Sequence, residues 1–380
     1  MTNLAEAINL ANWRDPPYNQ YGFINVDKIV HTHGIKKSPD NTKELQSKSS
    51  HLMDFAMNWK GESLDLAAFI DKSETDGLII LHRGEVVHEQ YSRGNSKDSK
   101  HIMMSMTKSI TGLIVGILQK DGRLHVEDLV VKYVPEVEGT MYENVTIRQC
   151  IDMRSGAQYS DNNHAYRCAA GWDPADGTEK HTNLHDFIAH FEPSKAQHDG
   201  FEYVSVNTDL VGWVIERATG KKFAKVIEEL LWQPMGAESD ALMTVDKEGN
   251  ARAAGGIAAT LRDIARVGQL ISEDGRDIVP SGWLHDIVND GDSEAFARGS
   301  WAAGLKNFFS DGLAYRSHCI ADRGTDTVMC LGIFGQQMMI DRKNDIVLAK
   351  TGSQEQSIDF SLIGMTLVAW KEVQRIYLAA

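Results

Sequence analysis

Residues 105–120 constrain the fold more than any other segment, because a short polar motif leads there into a long apolar run. Ile110–Leu118 contains only Ile, Leu, Val, Gly and Thr, and the run stops at Asp121-Gly122. An uncharged stretch of this kind predicts a helix buried on nearly all sides, so the other layers of the fold must pack around it. Just before it stands the chain's only Ser-x-x-Lys sequence, Ser105 to Lys108.

The spacing of Ser105 and Lys108 allows acid–base chemistry. Residues three apart share one face of a helix, with Cβ atoms about 5–6 Å apart, so a lysine can reach the hydroxyl of a serine one turn earlier. Burial lowers the pKa of a lysine, and the first helical turn offers unpaired N–H groups and a partial positive charge. We therefore predict Ser105 as a nucleophile with its own N–H in the oxyanion hole, and Lys108 as its base. The alternative is an N-cap serine followed by a solvated lysine.

A second candidate group is Tyr203, which lies in Phe201–Asp209 just ahead of another apolar run, Leu210–Ala218. A phenol beside a lysine ammonium can pass a proton to a leaving group, and Ser205 can hydrogen-bond in the same site. Free lysine and tyrosine titrate near 10, so we expect the two pKa values to be shifted down or coupled. The alternative is a core tyrosine whose hydroxyl is satisfied internally.

With these motifs in this order, the chain resembles the serine β-lactamase and penicillin-binding-protein superfamily. Within it, the chain is similar to the class C-like esterases and most of all to the 6-aminohexanoate-dimer (nylon-oligomer) hydrolases. The resemblance extends over nearly the whole chain, and its further segments are Trp13–Pro17, Leu78–Val87, Val131–Glu136, Thr146–Arg148, Ala254–Ile257, Arg262–Arg266 and Gly332–Gln336. It implies an α/β fold of the α+β type, in which helices flank an antiparallel sheet. Residues 1–145 and 246–380 would form this sheet domain and residues 146–245 an inserted helical domain, with the active site between them.

The third motif of this superfamily is Lys-Thr-Gly or His-x-Gly, on the strand beside the serine. Lys350-Thr351-Gly352 has the right letters. We instead interpret Ile333–Ile340 as the motif strand and Ile346–Ala349 as its partner, which places Lys350 at the partner's far end. On this interpretation the N–H of Ile333 is the second oxyanion donor. Phe334 then stands where the nylon-oligomer hydrolases carry a histidine, so the group that grips a penicillin carboxylate is missing.

The resemblance also places substrate contacts in the loop Asn162–Arg167. Asn163 replaces a tyrosine of the nylon-oligomer hydrolases and Arg167 replaces an acid. These departures predict that short esters are cleaved better than linear amides, with β-lactams cleaved poorly. The remaining predicted pocket residues, each with packing as the alternative, are Tyr159, Tyr166 and Trp172.

Composition limits the partners. The 380 residues carry a net charge of −14, and the sequence pI of about 5.4 argues against nucleic acid and anionic membranes. The four cysteines fit no metal spacing, and His31-Thr32-His33 lacks an evident third ligand. We therefore expect no metal and no cofactor. The start shows no signal-peptide pattern and no apolar stretch reaches 18 residues, which predicts a cytoplasmic protein.

Two classes of function follow. The first is a serine hydrolase that cleaves small-molecule esters or linear amides through an acyl-enzyme. The alternatives are β-lactamase activity and a non-catalytic penicillin-recognising or ligand-sensing module that kept the fold. Retention of Ser105, Lys108 and Tyr203 together favours the enzyme. A homodimer remains open.

Overall fold

The computed structural model describes residues 4–48, 52–196, 199–299, 301–305 and 307–378. Its helices are α1 Leu4–Ala7, α2 Asn19–Gly22, α3 Leu66–Lys72, α4 Met106–Lys120, α5 Ile147–Ile151, α6 His164–Ala169, α7 Leu184–Ala189, α8 Ser205–Thr219, α9 Phe223–Ile227, α10 Leu261–Ser272, α11 Ser281–Asn289, α12 Ser293–Arg298, α13 Ala302–Leu305 and α14 Phe360–Leu378. Its strands are β1 Thr32–Ile35, β2 Met57–Trp59, β3 Glu62–Leu64, β4 Thr75–His82, β5 Glu85–Tyr91, β6 His101–Ile102, β7 Ala157–Gln158, β8 Ser194–Lys195, β9 Ala241–Thr244, β10 Ile257–Ala259, β11 Leu313–Arg316, β12 Cys319–Asp322, β13 Thr327–Gly332, β14 Gln336–Asp341 and β15 Ile346–Gly352.

The largest sheet has seven strands in the order β11-β12-β13-β14-β15-β4-β5. All neighbouring strands in it are antiparallel. The segment Leu78–Val87, which is part of the resemblance, lies in the hairpin formed by β4 and β5. β15 pairs with β4, and Val347 lies opposite Leu81, so strands from the two ends of the chain meet in one sheet. The prediction of an antiparallel sheet flanked by helices is confirmed.

Alternation along the strands gives the sheet two apolar faces, because successive strand residues point to opposite sides. Ile79 and Leu81 pack with residues of α4 and α10 in one core. Leu78 and Ile80 pack with residues of α3 and α14 in a second core on the other face. Helices therefore cover both faces, and this burial stabilises the sheet.

Helix α4 is the buried element that the apolar run predicted. Every residue from Met106 to Leu118 is buried. A Cβ on Gly112 would collide with the backbone oxygen of Ser317, and one on Gly116 would collide with the ring of Trp283. Glycine costs about 1 kcal/mol in a helix interior, and close packing on both neighbours explains why it is tolerated here.

One sequence interpretation needs correction. Ile333–Ile340 is not a continuous strand: β13 ends at Gly332, residues Ile333–Gly335 form a 3₁₀ turn, and β14 begins at Gln336. The break arises because Phe334 has a left-handed backbone (φ 63°), which interrupts strand pairing. Lys350 lies near the end of β15, which agrees with its predicted position at the far end of the partner strand.

A smaller four-stranded sheet has the order β1-β9-β10-β6. β9 belongs to the predicted insertion, yet it pairs with β1 and β10. The remaining described part of 146–245 contains helices α5 to α9, a π-helix at Glu228–Trp232 and the short β7–β8 ladder. The division into two domains therefore stays a proposal. Within the described ranges, no helix combines the length and apolar character that crossing a bilayer requires.

Candidate active site

Ser105 lies at the junction between β6 and α4, on a backbone turn that its neighbours fix. The Met103 N–H donates to the Ile257 carbonyl at 2.7 Å, and the Ile257 N–H donates to Thr107 Oγ1 at 3.1 Å. Met104, directly before the serine, has a φ of 47°, a conformation that costs a non-glycine residue energy and is concentrated at functional sites. The serine is thus presented at the start of a rigid helix.

Lys108 reaches Ser105 as the helical spacing predicted. Its Nζ lies 2.9 Å from Ser105 Oγ and donates to the Ala254 carbonyl at 2.7 Å. The pKa of Lys108 is lowered from 10.5 to about 7, chiefly by burial; the Asp161 and Asp209 carboxylates oppose this shift, and the Arg252 guanidinium contributes to it. A large fraction of the lysine is therefore neutral at pH 7, and a neutral Nζ can accept the proton of the serine hydroxyl.

Tyr203 completes this group, but its pKa shifts in the direction opposite to the one expected. Lys108 Nζ lies 4.8 Å from the centre of the Tyr203 ring, and the Ser105 and Ser205 side chains interact with the phenol in the sense that lowers its pKa. Burial raises the pKa of Tyr203 well above its usual range. The downward shift is confirmed for the lysine, but the tyrosine shifts upward. Tyr203 is therefore a neutral phenol that can donate or relay a proton.

Ser205 is held by a carboxylate that the sequence analysis missed. Its N–H and hydroxyl donate to the two oxygens of Asp161 at 2.9 and 2.5 Å. Asp161 is also the strongest of the charges that favour the protonated form of Lys108. Asp161 therefore holds Ser205 in place and at the same time raises the pKa of Lys108 through its negative charge.

A second missed network lies beneath the lysine. Asp209 accepts the Ala254 N–H at 2.8 Å and pairs with the buried guanidinium of Arg252. The Tyr166 hydroxyl donates to the same carboxylate at 2.6 Å. These bonds fix Ala254, whose carbonyl holds Lys108 in turn. One sequence signal could have pointed to this network: Asp209 stands directly before an apolar run. A carboxylate buried with such a run is rarely without a partner.

The end of β13 lies against the turn that carries the serine. A Cβ added to Gly332 would come within 2.7 Å of the Met103 carbonyl oxygen and 3.1 Å of Met104 Cβ. This contact brings the next residue, Ile333, to the region of Ser105. The Ile333 side chain packs against the same apolar cluster as Met104. The arrangement suits the predicted pair of oxyanion donors, the N–H groups of Ser105 and Ile333.

Phe334 and Lys350 take internal positions. The Phe334 ring packs against Phe23 with centroids 5.2 Å apart, in an apolar cluster that also includes Trp13 and Trp172. Lys350 is completely buried, and its Nζ donates to the Gly335 carbonyl at 3.2 Å. Lys350 therefore supports the turn after Ile333, which agrees with the interpretation that Lys-Thr-Gly is not the third motif here.

The loop predicted to contact substrate uses several of its polar groups internally. Asn163 caps α6 by accepting the Tyr166 N–H at 3.2 Å, and Arg167 Nε donates to Asp173 at 2.7 Å. Tyr166 is fully buried, whereas Tyr159 is partly exposed and packs edge-on to Phe191. These residues form one wall, and a direct substrate contact stays a prediction for each.

Trp172 connects that wall to the turn that carries Ser105. Its ring lies 3.2 Å from the place where a Cβ of Gly255 would be, and that same Cβ would lie 3.7 Å from the backbone carbon of Met104. The indole N–H donates to Thr244 Oγ1 at 3.0 Å. Trp172 is buried, so it supports the turn that carries Ser105 by packing.

Comparison with known proteins gives one family and several relatives. A family model described as Beta-lactamase matches residues 68–362. The 6-aminohexanoate-dimer hydrolase of Paenarthrobacter ureafaciens is 29% identical over 366 residues, which cover 90% of this chain and 88% of that protein. Protein flp of Staphylococcus aureus (strain COL) is 27% identical over 167 residues, 42% of this chain and 32% of the relative.

Solved structures show the same fold. A candidate 6-aminohexanoate-dimer hydrolase from Bacillus anthracis superposes with a TM-score of 0.88 at 24% identity, covering 98% of each chain. A class C beta-lactamase in complex with cefoxitin superposes with a TM-score of 0.58 at 14% identity, covering 82% of this chain and 96% of that one. The similarity to the first extends over nearly the full length.

Proposed function

The chain belongs to the Beta-lactamase family, a family of hydrolases, and from this membership we propose that it is a serine hydrolase that cleaves small esters and linear amides through an acyl-enzyme on Ser105. The observation that carries the proposal is the pairing of Ser105 Oγ with Lys108 Nζ at 2.9 Å. The pKa of Lys108, which burial lowers to about 7, supports the same proposal. A base with a pKa near the working pH is the most effective one.

The proposed acylation step uses each group once. Neutral Lys108 Nζ accepts the Ser105 proton while Oγ attacks the substrate carbonyl carbon, and the N–H groups of Ser105 and Ile333 stabilise the oxygen that becomes negative. The proton passes from Lys108 through the phenol of Tyr203 to the leaving oxygen or nitrogen as its bond to carbon breaks. The first product then leaves.

Deacylation reverses the proton path. Water takes the leaving group's place, gives a proton toward Tyr203 and Lys108, and attacks the acyl carbon. The bond to Ser105 Oγ then breaks, and the proton returns to the serine. No cofactor enters this scheme.

The proposed substrate order is short esters first, linear amides of the 6-aminohexanoate-dimer kind second, and β-lactams last. An amide nitrogen must be protonated as it departs, which requires a well-placed acid, whereas an ester oxygen needs less help. The relative from Paenarthrobacter ureafaciens acts, by its name, on the 6-aminohexanoate dimer, so the linear amide is the natural comparison. Phe334 and Lys350 are both occupied internally, which leaves neither of them free to grip a penicillin carboxylate.

β-Lactamase activity and a non-catalytic ligand-sensing module are the alternatives. A module that only binds ligand has no use for a lysine held neutral beside a serine, and burying that lysine destabilises the protein. The enzyme is therefore the favoured function. The cytoplasmic location and the homodimer stay predictions.

A labelling experiment tests the nucleophile. A serine-directed fluorophosphonate should modify Ser105, and Ser105→Ala should abolish the label. Ser109→Ala is the matched control, because Ser109 lies one turn further along α4 and donates to the His318 carbonyl at 2.9 Å. Label on another residue by peptide mass mapping, or unchanged labelling of Ser105→Ala, would reject the assignment.

A kinetic comparison tests the substrate class. kcat/KM is measured for a p-nitrophenyl ester, the linear 6-aminohexanoate dimer and the cephalosporin nitrocefin. The ester should be hydrolysed fastest and nitrocefin slowest. Faster turnover of nitrocefin than of the ester would favour the β-lactamase instead, and labelling without turnover of any substrate would favour the ligand-sensing module.

A further inference from the structure

We propose that His164, Cys168 and Glu179 bind a zinc ion in the loop region behind Trp172. One ligand atom from each of the three side chains lies within 4.8 Å of the other two. His164 Nε2 is 3.3 Å from Cys168 Sγ and 4.0 Å from Glu179 Oε1. Zinc bonds of about 2.0–2.3 Å place neighbouring tetrahedral ligands about 3.3–3.8 Å apart. Small side-chain movements therefore bring the three atoms to coordinating distance.

Local structure explains why these residues meet. His164 begins α6 and Cys168 lies four residues later, so both side chains project from the same face of the helix. Glu179 comes from the following loop, where its carboxylate accepts the N–H groups of Asp176 and Gly177 at 2.6 and 2.9 Å. The backbone of this turn thus holds the carboxylate against the helix.

The fourth position of the site is not filled by the three residues. Asp176 Oδ2 lies 3.7 Å from His164 Nε2, but Asp176 is outside the group whose ligand atoms all lie within 4.8 Å of one another. A fourth ligand, from Asp176 after a movement of its loop or from water, would complete the tetrahedral coordination of zinc.

An outer carboxylate prepares the histidine as a ligand. Asp173 Oδ2 lies 3.0 Å from His164 Nδ1, so Nδ1 carries the proton and the lone pair of Nε2 is free to face the site. Histidines that bind zinc commonly donate their other ring N–H to a carboxylate in this way. Asp173 is itself held by ion pairs with Arg14 and Arg167, which fix the ring in place.

The donor set selects the metal. A thiolate, an imidazole and carboxylates suit zinc, whereas magnesium and calcium take oxygen ligands almost exclusively. The His164 side chain is 45% exposed, so an ion can enter from solvent. The spacing of the cysteines alone predicted no metal, because Glu179 and Asp176 reach the site only through the folded loop.

A bound zinc ion would connect α6 to the loop that follows Trp172. Asp173, the neighbour of Trp172, joins the cluster through His164. Trp172 packs behind the serine turn. A bound zinc would therefore stabilise the wall of the site without touching the reacting atoms, and this inference does not depend on the proposed reaction.

Metal titration of the chelator-treated protein tests the inference. Calorimetry and native mass spectrometry should find one equivalent of zinc, and the thermal midpoint should rise with zinc concentration, because a ligand that binds only the folded state stabilises it. Cobalt used as a probe should give a thiolate-to-cobalt charge-transfer band. An absent band, or no zinc binding up to millimolar concentration, would overturn the proposal.

Variants distinguish this site from others. Cys168→Ser should abolish the cobalt band and weaken zinc binding strongly, and Asp173→Asn should weaken it by about 10–100-fold, as for loss of an outer-shell partner. The matched control is His190→Gln, in the separate group His181, Asp186 and His190, and it should leave affinity unchanged. An equal thermal midpoint of Cys168→Ser and wild type in chelator excludes misfolding. Zinc affinity that survives Cys168→Ser, or that disappears in His190→Gln, would refute the assignment.

Discussion

Lys108 should make the folded protein less stable, and replacing it with methionine measures by how much. Burial lowers the pKa of Lys108 from 10.5 to about 7 in the fold, whereas the unfolded chain keeps the ordinary value. A basic group whose pKa is lower in the folded state destabilises that state fully below the folded pKa. The destabilisation is then relieved as pH rises toward the unfolded pKa. The window here is pH 7 to 10.5, and the full effect is about 5 kcal/mol.

The size of the pH effect follows from the same shift. Between pH 7 and 9, unfolded Lys108 stays protonated while the folded one loses its remaining proton. The free energy of unfolding of wild type should then rise by about 2 kcal/mol relative to Lys108→Met. Between pH 5 and 7 both states are mostly protonated, so the same difference should change by less than about 0.5 kcal/mol. The bonds that Lys108 makes with Ser105 and Ala254 are lost in the variant, and this adds an offset that does not depend on pH.

The assay is chemical denaturation of both proteins at pH 5, 7 and 9 and constant ionic strength. Lys97→Met is the control, because Lys97 is exposed and its replacement removes no buried charge. Lys108→Met should also lose acylation, and kcat/KM of wild type should rise with pH through about 7 as the base becomes neutral. A difference between wild type and Lys108→Met that stays constant from pH 7 to 9 would refute the lowered pKa and with it the role of Lys108 as a neutral base.

Three further changes test the surroundings of the serine. Tyr203→Phe should lower kcat by about 10²–10⁴-fold through loss of proton transfer, and wild-type turnover on esters and amides alike would make Tyr203 a packing residue. Gly332→Ala should lower kcat by about 10²–10³-fold, as for loss of one oxyanion donor, because the added Cβ would lie 2.7 Å from the Met103 oxygen and displace the end of β13. Gly282→Ala, in α11, has open space around the new Cβ and serves as its control; equal rates for both would reject the contact. Asp161→Asn should move the acid limb of the kcat/KM profile to lower pH, because the carboxylate favours the protonated form of Lys108, and an unmoved limb would leave Asp161 with a structural role only.

Local patterns in the sequence predicted the parts of the site that local geometry builds. Ser105 and Lys108 meet because they are three positions apart at the start of a helix, and the hairpin β4–β5 fits the two apolar runs on either side of Arg83-Gly84. The order of the strands could not be obtained this way, and the resemblance to a known fold implied only an antiparallel sheet built from both ends of the chain.

The residues missed by the sequence analysis act through contacts between distant segments. Asp161 meets Ser205, and Asp209 meets the backbone of Ala254. No period of 2 or 3.6 residues connects such positions. The turn at Phe334 was missed for a different reason: its left-handed backbone at φ 63° is uncommon for a bulky residue, so propensity argues against it.

The pairing of β4 with β15 has a consequence for the order in which the protein folds. It joins residues 75–82 to residues 346–352, and a contact between segments so far apart forms late because closing a long loop is entropically costly. Ser105, Lys108 and Tyr203 all belong to the early part of the chain, whereas Ile333 belongs to the late part. During synthesis, a nascent chain that already contains the proposed nucleophile and base would still lack the proposed second oxyanion donor, so the proposed hydrolytic activity would arise only once the two ends of the chain have met.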